Sequence, residues 1–310
     1  MSTARSVADQ DVGGAGDALR SYGTGLLRTT VHREGTAFRW TRVPGPDAPH
    51  AFVSRDAAEE ECLRPLADEG TGGVRLALGE PWAEGRRYRA AGGAALAWYL
   101  LAGGGTEYTE CVRGLGRVLR RLHDTPLERL ENAGALDTPR GLRRLSTWLG
   151  GGPGAGRSDE ARDEARRRLG AGRWRMLREW CARSVEADDP VLSHGAPGLG
   201  ALVPGTDGAD AVLLTGEDLS LAPWTFDVGW VVGEICELSW QFQREGPDWT
   251  ALLDALFDGY GRDLGGDWHR WAALRVALHL HDFCSYTDAP FTEATAYAGF
   301  VGHLIDMEEA

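Results

Sequence analysis

The sequence predicts an α+β protein of two lobes, a β-rich amino-terminal lobe followed by a mainly helical one. Two periodicities carry that expectation. Over roughly the first hundred residues the apolar positions alternate with polar ones, the strand period. After Gly105 they recur every three or four residues, the helix period. A third observation is size: 310 residues are enough for one two-lobed body with a substantial core. Residues 1–20 read as a polar, flexible start, 21–102 as the first lobe, an antiparallel sheet with one helix, and 103–310 as the second.

The elements follow in order. "TAFRWTRV" (Thr36–Val43) alternates cleanly, and "PGPDAP" (Pro44–Pro49) is a turn, so "HAFVSR" (His50–Arg55) reads as a returning strand. "DAAEEECLRPLADEG" has a capping Asp56, an acidic first turn and a closing glycine, the signals of a short helix. "GVRLALGEPW" and "RRYRAAGG" read as strands, and "AALAWYLLAGG" as a buried strand or linker. "TEYTECVRGLGRVLRRLHDTP" sets Tyr108, Cys111, Leu115, Val118, Leu119 and Leu122 on one helical stripe that Pro126 ends. A short helix in "TPRGLRRLSTWLGG", a glycine-rich loop and a long arginine-rich helix from Ser158 come next. "AVLLTGEDLSLAPW" reads as a hairpin or strand and loop, and the chain is helical from Phe226 onward.

Composition excludes several chemistries. The net charge of -13 argues against general affinity for nucleic-acid phosphates. All 33 basic residues are arginine, the usage of a GC-rich genome, so no mechanism can use a lysine ammonium from this chain. The five cysteines are scattered without CxxC spacing, which fits a reducing compartment better than a disulfide framework or zinc site. No stretch approaches about 20 uncharged apolar residues, and no apolar leader opens the chain. These features predict a cytoplasmic protein without membrane or nucleic-acid partners.

Three segments carry more specific chemistry. They are "GRVLRRLHD", "VLSHGAPGLGALV" (Val191–Val203) and "VLLTGEDLSLAPWTFDVGWVVGEI". In this order, after a β-rich third, they resemble the helix ending in Leu-His, the catalytic loop and the metal-binding strand of aminoglycoside phosphotransferases and related small-molecule kinases. The resemblance implies a kinase-like fold. Position by position, His194, Gly195 and Asp227 match and would support the loop. The family's catalytic Asp falls on Ala196, its metal-binding Asn on Ala201 and its metal-binding Asp on Thr215. The phosphate-holding lysine would fall at Ser54 or Arg55. A shift of register would instead bring Glu217 or Asp218 to a metal.

Phosphoryl transfer is mostly electrostatic stabilisation by magnesium and cations, so these losses remove most of what such a site does. The resemblance therefore implies a degenerate, pseudokinase-like member with no cofactor. It would act as a binding or scaffolding subunit, in an actinobacterial setting, holding a precursor peptide in ribosomal-peptide biosynthesis. The alternative is an unorthodox phosphotransferase using ATP and magnesium on a hydroxyl of a peptide or small molecule.

Other features have plainer readings. His279 and His281 in "HLHD" lie two apart on a helix and face different sides. Ser193 and His194 are adjacent, which disfavours a nucleophile–base pair. "SYGTGLLR" (Ser21–Arg28) holds half a glycine-rich loop and reads as a turn before the first strand. Trp224, Trp230, Trp240, Trp249, Trp268 and Trp271 are expected in packing, with a Trp-lined groove as the sharper reading. Arg166, Arg167, Arg168, Arg173, Arg175 and Arg178 form either a solvated helix face or a site for an acidic peptide or partner subunit in a hetero-oligomer.

Overall fold

A computed structural model describes residues 18–53, 57–68, 73–104, 106–130, 136–185, 189–205, 210–242, 246–287 and 292–307. The alternating stretches near the start become strands β1 (Arg20–Gly23), β2 (Leu27–Glu34) and β3 (Ala37–Pro44). After helix α1 (Ala57–Asp68) come β4 (Val74–Leu78), β5 (Glu80–Trp82) and β6 (Gly85–Ala90). Five of these strands form an antiparallel sheet in the order β1-β2-β3-β6-β5. Its inner face buries Val31, Phe38, Trp40 and Tyr88. The period-two pattern fixes that register, because a slip of one residue would turn these side chains into water.

Three details differ from the sequence reading. Residues 51–53 are irregular instead of strand; β3 pairs with β2 and β6, so the edge positions that a returning strand would need are taken. Residues 54–56, which include the Ser54 and Arg55 positions, lie outside the described residues, as do 1–17 of the expected flexible start; Arg20 already belongs to β1. "AALAWYLL" forms helix α2 (Leu96–Leu101), a second helix in the first segment, which its unbroken apolar run could not distinguish from a strand.

The remainder contains α3 (Thr109–His123), α4 (Arg140–Leu149), α5 (Ser158–Val185), β7 (Val191–Ser193), β8 (Leu202–Val203), β9 (Ala211–Thr215) and β10 (Ser220–Ala222). Helices α6 (Trp224–Gln241), α7 (Trp249–Tyr260), α8 (Trp268–Tyr286) and α9 (Thr292–Asp306) complete it. β7 pairs with β10, and β4 lies beside β9, which also pairs with β8. The β4–β9 pair is parallel, with Val74 opposite Ala211 and Leu78 opposite Thr215. A strand from the first segment is thus built into the second.

One packing feature places the site. The buried stripe of α3 includes Val112, Leu115, Val118, Leu119 and Leu122, and α3 crosses α7 at glycines. A Cβ on Gly116 would meet Leu256 O at 2.3 Å, and one on Gly259 would meet Arg113 O at 2.0 Å. This close approach brings Tyr260, at the end of α7, to His123, at the end of α3. Helix α5 is bent at Gly170, whose φ of 72° and ψ of 172° are open to glycine and strained for other residues.

Candidate functional site

The segment Ser193–Ala201 joins β7 to β8, and its first residues hang from one carboxylate. Asp227, in the first turn of α6, is fully buried. Its Oδ1 accepts from the Ser193 hydroxyl at 2.8 Å and from Gly195 N at 3.1 Å. Its Oδ2 accepts from His194 N at 2.7 Å and lies 3.0 Å from His123 Nε2. Tyr260 holds the other nitrogen of His123 at 2.8 Å. Burial alone would raise the Asp227 carboxyl, but His123, His194 and the Ser193 hydroxyl hold it below the usual carboxylate range.

His194 turns its ring away from Asp227. Nε2 lies 3.0 Å from Leu214 O, which can only accept, so this nitrogen carries the proton. Nδ1 then accepts weakly from Ala196 N at 3.4 Å. Burial lowers the pKa of the ring and keeps it neutral. Ser193 and His194 therefore serve the backbone and do not form a nucleophile–base pair. Gly195 has φ of 84°, and a Cβ there would meet Asp218 O at 1.7 Å.

The far end of the loop is held from the same helix. Glu234 lies seven residues after Asp227, two helical turns along one face of α6. Its Oε2 accepts from Leu199 N at 2.8 Å. Burial raises its carboxyl above the usual range, against the pull of Arg275 and the Leu199 amide. The sequence reading missed Glu234 and Tyr260, and it noted His123 only as the end of a Leu-His helix without giving it a role. The spacing from Asp227 to Glu234 was the available signal for the first, and the conspicuous Leu-His ending of α3 for His123.

Above the loop lies a cleft of about 310 Å³. Gly195, Ala196, Pro197, Gly198, Gly200 and Ala201 line its floor; Leu26, Leu27 and Arg42 line it from the sheet. Charged groups around it are largely matched to one another. Arg42 Nη1 lies 3.1 Å from Glu217 Oε1, which also accepts from the Tyr88 hydroxyl at 2.6 Å. Arg140 Nε donates to Asp218 Oδ1 at 2.5 Å, and its Nη1 to His50 O and Ala51 O. Burial works against the Asp218 charge, yet Arg140 and its neighbours hold that carboxyl below the usual range. Arg144 grips Asp282 through two bonds, of 3.1 and 2.7 Å. The cation that the sheet presents here is Arg42, which shares the inward face of β3 with Phe38 and Trp40.

The turn between β1 and β2 closes the cleft from above. Gly25 N donates to Tyr286 O at the end of α8, and Gly25 O accepts from Asp47 N. "SYGTGLLR" does not precede the first strand: it runs from β1 into β2, and the turn between them docks onto the helical part.

A spectinomycin phosphotransferase, solved with ADP and spectinomycin, superposes with a TM-score of 0.53 at 12% identity, over 96% of this chain and 92% of that one. An ethanolamine kinase of Plasmodium vivax gives 0.51 at 12% identity, over 95% and 81%. A choline kinase of Streptococcus pneumoniae gives 0.51 at 8% identity, over 94% of each. The fold is that of small-molecule kinases. No family model matches the sequence, and no curated protein matches it.

Within this kinase-like fold the positions that the resemblance assigns to metal ligands offer little side-chain oxygen. Ala196 and Ala201 carry no side-chain oxygen, and the Thr215 hydroxyl, fully buried, donates to Leu213 O at 2.8 Å. Glu217 and Asp218 both face the cleft, but each already holds an arginine. Among the described residues no group of three or more His, Cys, Asp or Glu converges to hold a metal. His279 contacts Glu237, whereas His281 bonds Asp282 at 2.8 Å, so the two histidines diverge.

The remaining candidates separate. Trp240, Trp249 and Trp268 line a second groove of about 580 Å³ with Phe300 and Met307. Trp224 stacks on Tyr260, Trp271 packs edge-on against Phe226, and Trp230 lies beside the cleft. The arginines of α5 lie on both sides of its bend. The bend at Gly170 parts Arg166, Arg167 and Arg168 from Arg173, Arg175 and Arg178. Arg167 and Arg168 pair with Glu164, Arg173 with Asp306, and Arg175 approaches Glu179 at 3.7 Å. All five cysteines are free thiols. No helix of the described residues is long and apolar enough to cross a membrane.

Proposed function

We propose that this chain is a kinase-fold protein that no longer transfers phosphate and works as a binding or scaffolding subunit. The observation that carries the reading is the internal pairing of the cleft charges: Arg42 with Glu217, Arg140 with Asp218, Arg144 with Asp282. A nucleotide triphosphate needs free cations, and a metal needs free carboxylates. To use Arg42, Arg140, Arg144, Glu217, Asp218 or Asp282, a ligand would have to break a partly buried ion pair first, which leaves the released partner uncompensated. The alanines at positions 196 and 201 add no replacement. The ligand of the subunit is proposed to be a peptide, and a precursor peptide of ribosomal-peptide maturation is the setting that agrees with the resemblance.

The test is calorimetric titration of the purified chain with ATP, with and without magnesium. The expected result is no measurable magnesium-dependent binding. A low-micromolar, magnesium-dependent dissociation constant would overturn the proposal.

One observation favours the alternative, an unorthodox phosphotransferase. Glu234 lines the cleft beside Ala196 and Ala201, and burial raises its carboxyl, as suits a proton acceptor. If the chain phosphorylates any hydroxyl, Glu234→Gln should abolish turnover while leaving the fold intact.

A further inference from the structure

The outer face of the five-stranded sheet is an unusual surface on this molecule. Because Val31, Phe38, Trp40 and Tyr88 point inward, the residues between them point out. The strand registers then fix which outward side chains are neighbours. His32 on β2 lies opposite Arg39 on β3, and Arg39 lies opposite Arg89 on β6. One row beyond, Thr30 lies opposite Thr41 and Thr41 opposite Arg87. Arg28, opposite Val43, completes the face.

Two arginines directly opposite each other on paired strands repel, with about 5 Å between their Cβ atoms. Only partial relief is present. Glu34 pairs with Arg39, and Glu80 lies opposite Arg87. Arg28 and Arg89 are exposed and have no carboxylate partner among the described residues. This concentration sits on a chain of net charge -13. At the edge of the face Arg87 lies over the ring of Trp82, which is 45% exposed.

We infer that this sheet face, centred on Arg28, Arg39, Arg87 and Arg89, docks an acidic segment of a partner protein. Charge complementarity selects the occupant. Arginine forks engage carboxylates through paired hydrogen bonds. An incoming carboxylate between Arg39 and Arg89 would replace their mutual repulsion with attraction. Arg87 and Arg89, two apart on one strand, are spaced about 7 Å, which is also the spacing of alternate carboxylates on an extended chain. A single-stranded nucleic acid is the poorer fit, because sheets that bind it stack bases on aromatic side chains. Between these arginines the face carries Ser21, Thr30, Thr41 and Val43 instead. The inference does not rest on the reading of the cleft, which lies on the other side of the sheet.

The test uses the full chain and a fluorescent octaglutamate peptide, followed by anisotropy at low and moderate salt. The expected result is saturable binding that weakens with salt and falls roughly tenfold or more when Arg28, Arg39, Arg87 and Arg89 are all changed to Gln. The single variants Arg39→Gln and Arg89→Gln should each weaken it by less, so the outcome does not depend on the fourfold variant folding. A double change of Arg166→Gln and Arg178→Gln on α5 should leave it unaltered. The inference is overturned if octaglutamate does not bind, if the sheet variants bind as the parent does, if the α5 pair carries the effect, or if an oligothymidylate of equal charge binds as tightly.

Discussion

Asp227 carries a full charge with no exposure to water, and every one of its bonds holds a different piece of the site. Replacing it by Asn keeps the shape but turns a donor towards groups that are themselves donors. Asp227→Asn should lower the unfolding free energy by about 3 kcal/mol, read from urea midpoints. The pH dependence has a definite sign. The folded-state pKa lies below the ordinary 3.8, so this stabilisation is complete above that value and is lost as pH falls towards the depressed one. The stability gap between parent and variant should therefore close below about pH 4. Glu234 has the opposite sign. Its pKa is raised above the ordinary 4.5 by burial, so the parent loses stability as pH rises through that value. Glu234→Gln should be at least as stable as the parent at pH 7, with the advantage vanishing near pH 4 in thermal melts. At this scale the sequence was informative where motif order placed residues and silent where pairing joined distant ones. The pair His194 and Asp227 was legible from motif order. The Arg–carboxylate pairing was not, because it joins residues 78 to 175 positions apart, and no periodicity relates them.

Elements were legible where one physical signal dominated. Alternation announced β3, and a helical stripe announced α3. The boundaries that failed lacked such a signal. "HAFVSR" alternates too weakly to compete for pairing, and "AALAWYLL" is apolar throughout, so neither period can show. The bend in α5 was hidden in the same way. Gly170 sits in a segment rich in helix formers and acid–base pairs at helical spacing, and glycine there looks merely weakening. Its backbone, with φ of 72° and ψ of 172°, shows a specific use. A Cβ would touch nothing within 4 Å, so Gly170→Ala isolates backbone strain from crowding. It should cost about 1–3 kcal/mol, measured by denaturant unfolding. An unchanged stability would mean that α5 straightens at no cost and that its halves are independent.

At the scale of the whole molecule, two lobes were legible, but their junction was not. The division near residue 102 follows composition, and hydrogen bonding crosses it. β4 and β9 meet along five paired positions across a chain separation that no local pattern reports. The sheet also packs down on that junction. Val31, Phe38, Trp40 and Tyr88 share one buried cluster with Val203, Val212 and Leu214.

The parallel strand pair also has a mechanical meaning. Two bodies joined by a flexible connector can rock, open and melt one after the other. Two bodies that share a ladder of backbone hydrogen bonds cannot rotate without shearing it. Heating should then give one calorimetric peak, with van't Hoff and calorimetric enthalpies in agreement. Severing the chain between β6 and α2 should yield fragments that gain ordered structure only when mixed. A molecule built this way is expected to unfold as one unit, with the shared ladder holding its two lobes in register.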